Sequence, residues 1–480
     1  MTRHPALDHP GRDVDEPAGH IESAAPPAPS RHPWTDVTPA SYVSRVVREW
    51  VASPNPDALH RRLDGTMVFV DISGFTKMSD RLARLGKRGA EEITAIVSSC
   101  FDRLVADAHA FGGTLVKFGG DALLLFFQGE RHARRAAAAA LEMRRTLHGT
   151  RVFETVAGKV QLSMTVGVHS GEFDFFLVGR SHRELIIAGP AASELVAVES
   201  SAQTGRILVS TACARELSAA NLGPEQGRGR LLRGRLDAAV ADACVSDVTG
   251  DLAPFVPRAV TEAIRGHGRL ESEHRHVTVA FLHLQGLDRR IAHGDLDAVA
   301  DDLDRLVRAV QDAADRRDVC FLATDIAADG TKVILTAGAP RSAGHDEESM
   351  LLALRAVVDS APAIPVRIGV NTGSVFAGEI DTSDWRTYTV MGDPVNVAAR
   401  IMGKARAGEI LAAAPVLDRS RTLFTTEWID PFSVKGKRQP LVAGAVGPAR
   451  GTRVEVAADF PMVGRHAELE LLAEAAAAAR

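Results

Sequence analysis

The stretch VFVDISGFT, Val68 to Thr76, taken with VKFGGDALLLFF, Val116 to Phe127, decides how this chain folds. DGTMVFVDISGF reads as a buried strand and its turn, because an unbroken apolar run ends on Ser-Gly. GGTLVKFGGDALLLFF reads as a β-hairpin turning at Gly119 and Gly120. Between them a helix is expected through Glu91 to His109, and an Ala-rich helix follows from His132 to Leu147. LSMTVGVHSGEF and LIIAGPAA supply further strands, and a short amphipathic helix near Ser41 to Val51 leads into the whole. The order βα, then ββ, then αβ predicts an α/β (α+β) sandwich with a mixed or antiparallel sheet.

The same pattern returns roughly 200 residues later. EHRHVTVAFLHLQGL, Glu273 to Leu287, has the shape of the first strand and turn, and DGTKVILTAGAP mirrors the first hairpin. VRIGVNTG, Val366 to Gly373, mirrors MTVGVHSG, Met164 to Gly171. VMGDPVNVAAR mirrors IAGPAASELVA, and PFVPRAVTEA mirrors SYVSRVVREW. A repeat this long is a duplicated domain rather than a solenoid unit. The expected organisation is a disordered segment over 1–37, a first domain over 38–250, a second over 254–448 and a separate start of structure over 455–480. Duplicated domains pair about a pseudo-twofold axis, with sites at the seam.

Composition narrows the rest. The 480 residues carry 45% hydrophobic and 24% charged residues, as globular chains do. A net charge of −5 offers no basic footprint for nucleic acid. The four cysteines, Cys100, Cys213, Cys244 and Cys320, lie far apart without a CxxC pair, so neither a zinc site nor a disulfide framework is indicated. No apolar run reaches membrane-spanning length and no signal-peptide core stands at the N-terminus, which makes a cytoplasmic protein the expectation.

Chemistry-bearing residues are divided between the two copies. The first offers Asp71 and Asp121, each beside an apolar strand; the second offers Asn396 and Arg400, spaced to share one helix face. Carboxylates bind magnesium, whereas asparagine and arginine grip phosphoryl groups, and neither copy has both. His283 stands at the place of Asp71, Thr331 at that of Asp121, Ser193 at that of Asn396 and Ala197 at that of Arg400. One complete site and one degenerate site are therefore expected. The plainer alternative makes each Asp a turn or N-cap residue, and makes Asn396 and Arg400 the polar face of a surface helix.

With these residues in view, the chain resembles class III nucleotidyl cyclases with tandem cyclase homology domains, especially the soluble adenylyl cyclase type, over residues 40–447. MVGRHAELELL, Met462 to Leu472, looks like the opening of the ATPase domain that follows the cyclase pair in such proteins. The resemblance implies two ferredoxin-like domains paired as a pseudo-twofold heterodimer within one chain. It implies an adenylate cyclase that converts ATP to cyclic AMP and pyrophosphate. Two magnesium ions, or manganese in their place, would be held by Asp71, Ile72 and Asp121. Gly74, Phe75 and Thr76 would cradle the triphosphate, Asn396 would orient the ribose and Arg400 would stabilise the α-phosphate transition state. Thr389 fits adenine recognition, and the Glu and Cys of guanylyl cyclases do not occur in this pocket. Lys435 and Lys437 resemble the loop that contacts terminal phosphates, although solvation explains a single lysine equally well. Two positions depart from the pattern. Thr165 stands where many members have a basic phosphate-binding residue, and Asp329 with Gly330 stands where the adenine lysine is usual. In the soluble adenylyl cyclase type a lysine at Lys117 helps to bind bicarbonate as a regulator. Its partner arginine would fall near Val196, and Lys117 could equally pair with a carboxylate. The alternative to an enzyme is a nucleotide-binding regulatory module that controls a C-terminal ATPase region.

Overall fold

The computed structural model describes residues 38–149, 152–236, 238, 251–267, 270–382, 385–434 and 439–453, with 470, 471, 474 and 475. The expectations for 1–37, for most of 455–480 and for Lys435 and Lys437 lie outside the described residues. The first half runs α1 (Arg45–Val51), β1 (His60–Ser73), α2 (Phe75–Leu82), α3 (Gly86–Ala110), β2 (Gly113–Phe118), β3 (Ala122–Phe127), α4 (His132–Gly149), β4 (Val152–Thr155), β5 (Gly158–Gln161), β6 (Ser163–Val178), β7 (Glu184–Ala188), α5 (Pro190–Ser200), β8 (Ile207–Val209), α6 (Thr211–Arg215), β9 (Leu222–Gln226) and β10 (Gly229–Leu232). The second runs α7 (Arg258–His267), β11 (Glu273–Gln285), α8 (Leu287–His293), α9 (Leu296–Asp315), β12 (Cys320–Ala327), β13 (Gly330–Ala337), α10 (Asp346–Asp359), β14 (Val366–Asp381), β15 (Arg386–Met391), α11 (Asp393–Met402), β16 (Ile410–Ala413), α12 (Ala414–Arg419), β17 (Thr422–Trp428) and β18 (Ala443–Thr452).

Each half builds an eight-stranded sheet in the same order. The first is β2-β3-β1-β6-β8-β10-β9 with β7 paired to β6; the second is β12-β13-β11-β14-β16-β18-β17 with β15 paired to β14. Only β6–β8 and β14–β16 are parallel among the described pairs, so the sheets are mixed. The registers superimpose. Asp71 lies opposite Ala122 and Thr165, and His283 lies opposite Lys332 and Arg367.

The apolar run in β1 lacks alternation because both of its faces are covered. Val68, Val70 and Ile72 pack with α3 and α4, while Met67 joins Phe126 and Phe173 in a central layer shared with Val277, Val279 and Leu322. The halves also exchange parts of their cores. Phe376, Ile380 and Met391 of the second half lie in the first half's core. Phe176, Val178, Ile186 and Ala188 of the first half lie in the second half's core. The far ends of β6 and β14, paired to β7 and β15 of their own sheets, thus carry side chains into the other half's core.

Two local differences from expectation have simple causes. The helix expected from Glu91 begins at Gly86, because no side-chain cap marks its start at Leu85. The β4–β5 hairpin was not anticipated; its residues are mostly exposed and carry no apolar pattern.

Candidate active site

Asp71 lies near the end of β1, two residues before its last residue Ser73, and Gly74, whose φ is 116°, then turns the chain into α2. A side chain at this φ is strained, so glycine fits the turn. Asp121 sits in the β2–β3 turn, and its backbone is fixed from both sides. Ile72 N–H donates to the Asp121 carbonyl at 3.0 Å, and Gly119 N–H donates to the Ala122 carbonyl at 2.8 Å. Burial raises both carboxyls. Asp71 is pushed up by burial and then by Asp325, and Asp121 is pushed up to about 7 by burial, then by Asp71 and Asp325. The Ile72 side chain is a fully buried hydrocarbon, and the backbone carbonyl is the one oxygen that this residue can offer.

These groups fit magnesium or manganese. Two half-buried carboxylates that oppose ionisation are relieved by a dication, and magnesium takes only one or two protein carboxylates, with phosphates and water completing its shell. No group of three or more His, Cys, Asp or Glu among the described residues forms a cage of its own.

Two further acidic side chains approach the pair, and spacing along the chain had not marked them. Asp325 comes from β12 of the second half; a β-carbon built on Gly119 would lie 3.4 Å from its Oδ1. Glu199, from α5, is pushed up to about 7 by burial and then by Asp71. Lys332 Nζ stands 3.6 Å from Asp325 Oδ2 and supplies a compensating charge.

Asn396 and Arg400 lie on α11, both half-buried. This helix lies directly on its own sheet, because Gly369 has no side chain to hold it off. A β-carbon there would meet Met402 N at 2.0 Å. Its N-terminus follows Met391, a residue of the first half's core, and that core also contains Phe75 and Phe118. Phe75, Phe101, Phe118 and Trp385 then form a continuous aromatic chain across the seam, with successive centroids 5.7, 5.7 and 5.1 Å apart. Thr389 is buried on β15, opposite Gly378. The first half's turn and the strand that leads into α11 therefore meet in one core, while α11 itself packs through Val397, Ala398, Ile401 and Met402 on the other two clusters.

The equivalent turn of the second half is closed. Arg367 Nε donates to His283 Nδ1 at 3.0 Å, which leaves His283 Nε2 to donate to the Ala328 carbonyl, also at 3.0 Å. Burial, then Arg367, pulls this imidazole down to about 4, so it is neutral. Thr331 donates to the Asp325 carbonyl at 2.9 Å. Ser193 donates to Asp288 at 2.9 Å and accepts from Asp329 N–H at 2.8 Å. Lys117 is paired with a carboxylate, that of Glu184, at 2.7 Å. A cavity of about 80 Å³ beside it is lined by Lys117, Glu184, Thr324 and Trp385 among others, and does not include Asp71, Asp121, Asn396 or Arg400.

Comparison with known proteins agrees with this geometry. The family model for the adenylate and guanylate cyclase catalytic domain matches twice, over residues 60–237 and 271–443. Adenylate cyclase type 10 of Oryctolagus cuniculus is 24% identical over 388 residues, covering 71% of this chain and 24% of that protein. An uncharacterized protein of Mycobacterium tuberculosis is 32% identical over 200 residues, covering 40% of this chain and 36% of its own. The chain thus spans between about a quarter and a third of the length of these relatives. Among solved structures, a class III adenylyl cyclase-like ATP-binding protein from Pseudomonas aeruginosa aligns with a TM-score of 0.55 at 12% identity, covering 75% of this chain and 85% of that one. That likeness is one of fold.

Proposed function

This chain belongs to the family of adenylate and guanylate cyclase catalytic domains, which it carries twice, and we propose that it converts ATP to 3′,5′-cyclic AMP and pyrophosphate at one site shared by the two halves. The observation that carries this reading is the division of groups on matching frames. The half-buried carboxylate pair Asp71 and Asp121 occurs only on the first, and Asn396 with Arg400 only on the second. Reciprocal packing supports it: Ser193 of α5, at the place that Asn396 takes in the repeat, meets Asp288 and Asp329 of the other half.

Magnesium or manganese, when bound, would neutralise the two carboxylates, acidify the ribose 3′-hydroxyl and screen the phosphate oxygens. The remaining tasks fall to the chain itself. Asp71, Asp121 and the Ile72 carbonyl hold the ions. Backbone N–H groups from Gly74 through Thr76, at the start of α2, receive the triphosphate with the helix dipole behind them. Asn396 hydrogen-bonds the ribose and fixes its 3′-oxygen against the α-phosphate. Arg400 donates to the α-phosphate oxygens as charge builds on them, a role suited to a permanent, forked cation. Thr389 accepts from the adenine amino group, and Lys435 and Lys437 are assigned to the terminal phosphates.

A second reading has one observation behind it. Thr165, opposite Asp71, offers no positive charge, while Asp325 adds a negative one. Such a site suits a weak or inactive nucleotide-binding module that regulates a C-terminal ATPase region. The test is incubation of the 480-residue chain with ATP or GTP and magnesium or manganese, reading cyclic nucleotide and pyrophosphate. Cyclic AMP in preference to cyclic GMP supports the enzyme, whereas ATP binding without a cyclic product moves the chain to the second reading.

A further inference from the structure

The buried ion pair between Lys117 and Glu184 has no part in the roles above. Lys117, on β2, places Nζ 2.7 Å from Glu184 Oε1 and 2.7 Å from Thr324 Oγ1. The same Glu184 oxygen accepts the Thr324 N–H at 3.0 Å and its hydroxyl at 2.6 Å. His182 Nε2 stands 3.4 Å from the other Glu184 oxygen. Lys117 and Glu184 are each 8% exposed. Burial pushes the Glu184 carboxyl up, but Lys117 and His182 outweigh it and hold the group down at about 2. A buried charge is tolerated only when its partners are this complete. What it adds over apolar packing is direction, because hydrogen bonds fix a register that greasy surfaces leave free to slide.

The network crosses between the halves, and both tied strands lead to the candidate metal pair. Lys117 lies on the strand that runs into the Asp121 turn, and that turn is hydrogen-bonded to Ile72 of β1. Thr324 directly precedes Asp325, the carboxylate that opposes ionisation of both Asp71 and Asp121. We propose that Glu184 is a positioning residue: its carboxylate locks β2 and β12 in one register across the seam, which sets the separation between the Asp71–Asp121 pair and Asp325 and with it the affinity of the site for a divalent cation. The inference rests on the proposed role of Asp71 and Asp121 as metal ligands.

The test uses the full chain and Mn²⁺ alone, with binding followed by electron paramagnetic resonance and folding by melting temperature. Glu184→Gln leaves the Lys117 ammonium buried without its partner and should melt well below wild type. The double variant Lys117→Met/Glu184→Gln removes both charges at similar volume. It should recover most of the melting temperature, yet bind Mn²⁺ about tenfold more weakly, with kcat lower by a similar factor and KM for ATP little changed. Thr324→Val, a milder change, should weaken Mn²⁺ binding severalfold and provides the reading if the double variant fails to fold. Wild-type Mn²⁺ affinity in whichever of these variants folds would overturn the proposal and leave the network as charge satisfaction only. A wild-type chain that binds Mn²⁺ with this dependence, but forms no cyclic nucleotide, would refute the proposed reaction and not the positioning role. Wild-type protein that binds no Mn²⁺ would overturn both.

Discussion

The turn at Asp71 and the turn at His283 share one backbone and have opposite electrostatics. Both lie on the central antiparallel strand of their sheet, and both face the same positions of their neighbours. Around Asp71 the charges oppose one another: the half-buried carboxyls of Asp71 and Asp121 are both pushed up, with Asp325 contributing to each, and Glu199 is pushed up in turn by burial and then by Asp71. Around His283 each polar atom has a local partner in Arg367, Ala328 or, close by, Thr331 and Ser193. Folding alone would favour the second arrangement, since unpaired buried charge costs stability. The comparison teaches that the copy proposed to hold the metal ions is marked by carboxyls whose ionisation its surroundings oppose.

The largest effect should come from breaking that open side. Asp71→Asn or Asp121→Asn removes a ligand charge at nearly constant volume, and cyclic nucleotide formation should fall by on the order of 10³-fold or more, because electrostatic stabilisation is the main contribution at such a site. The fold should survive, since each change relieves repulsion. Turnover near wild type at saturating magnesium, in either variant, would return the pair to the status of turn residues.

Next in size is Arg400→Ala, which should lower kcat by about 10²- to 10³-fold while apparent ATP affinity changes much less. A variant that keeps its turnover and loses binding would move Arg400 to ground-state recognition. A smaller effect is expected at the aromatic chain. Trp385→Ala removes the contact between Phe118 and the second half, so turnover should fall by about tenfold through misalignment, with the metal ligands untouched. Steady-state kinetics at saturating metal would check both, and unchanged turnover in Trp385→Ala would show that this chain does not align the halves.

Much of this comparison was legible in the sequence, for a physical reason. The strand–turn pattern repeats at a fixed register, so Asp71 maps onto His283 and Asp121 onto Thr331 by local spacing alone, and the strand pairing bears out that mapping. The neighbourhood of Lys117 was legible only as an open choice between an anion and a carboxylate; the structure pairs it with Glu184. What stayed hidden is what crosses the seam. Asp325 approaches Asp121 from some 200 residues away and Phe376 packs into the other half's core, and within the first half Glu199 reaches Asp71 from α5, well over 100 residues on. Periodicity reports which face of an element is apolar, and it does not report which domain covers that face. Glu184 offered one faint signal, a charged residue opening the otherwise apolar strand ELIIA.

The smallest expected effect is on stability, and it separates the two turns by sign. Asp121 is pushed up from 3.8 to about 7 by burial, then by Asp71 and Asp325. Its folded state therefore holds a proton that the unfolded state has released. The resulting stabilisation is complete below 3.8 and is lost as pH rises through about 7. His283 behaves the other way, being pulled down from 6.5 to about 4 by burial and then by Arg367. The unfolded imidazole takes a proton that the folded one refuses, so this contribution is present above 6.5 and lost as pH falls through about 4. In the metal-free wild type the two trends oppose each other across the window between. Asp121→Asn removes one declining contribution and keeps those of Asp71 and Glu199, so between about pH 5 and pH 7 its melting temperature should fall less than that of wild type, and that of His283→Gln should fall more. For Asp121 the swing should be on the order of 1–2 kcal/mol, since about three pKa units would allow roughly 4 kcal/mol before local relaxation reduces it. Manganese added near pH 7 should raise the melting temperature of wild type and of His283→Gln, and raise that of Asp121→Asn much less. Calorimetry of the three proteins across this range decides it: parallel profiles would mean that the two turns, for all their difference in sequence, present the same electrostatic environment.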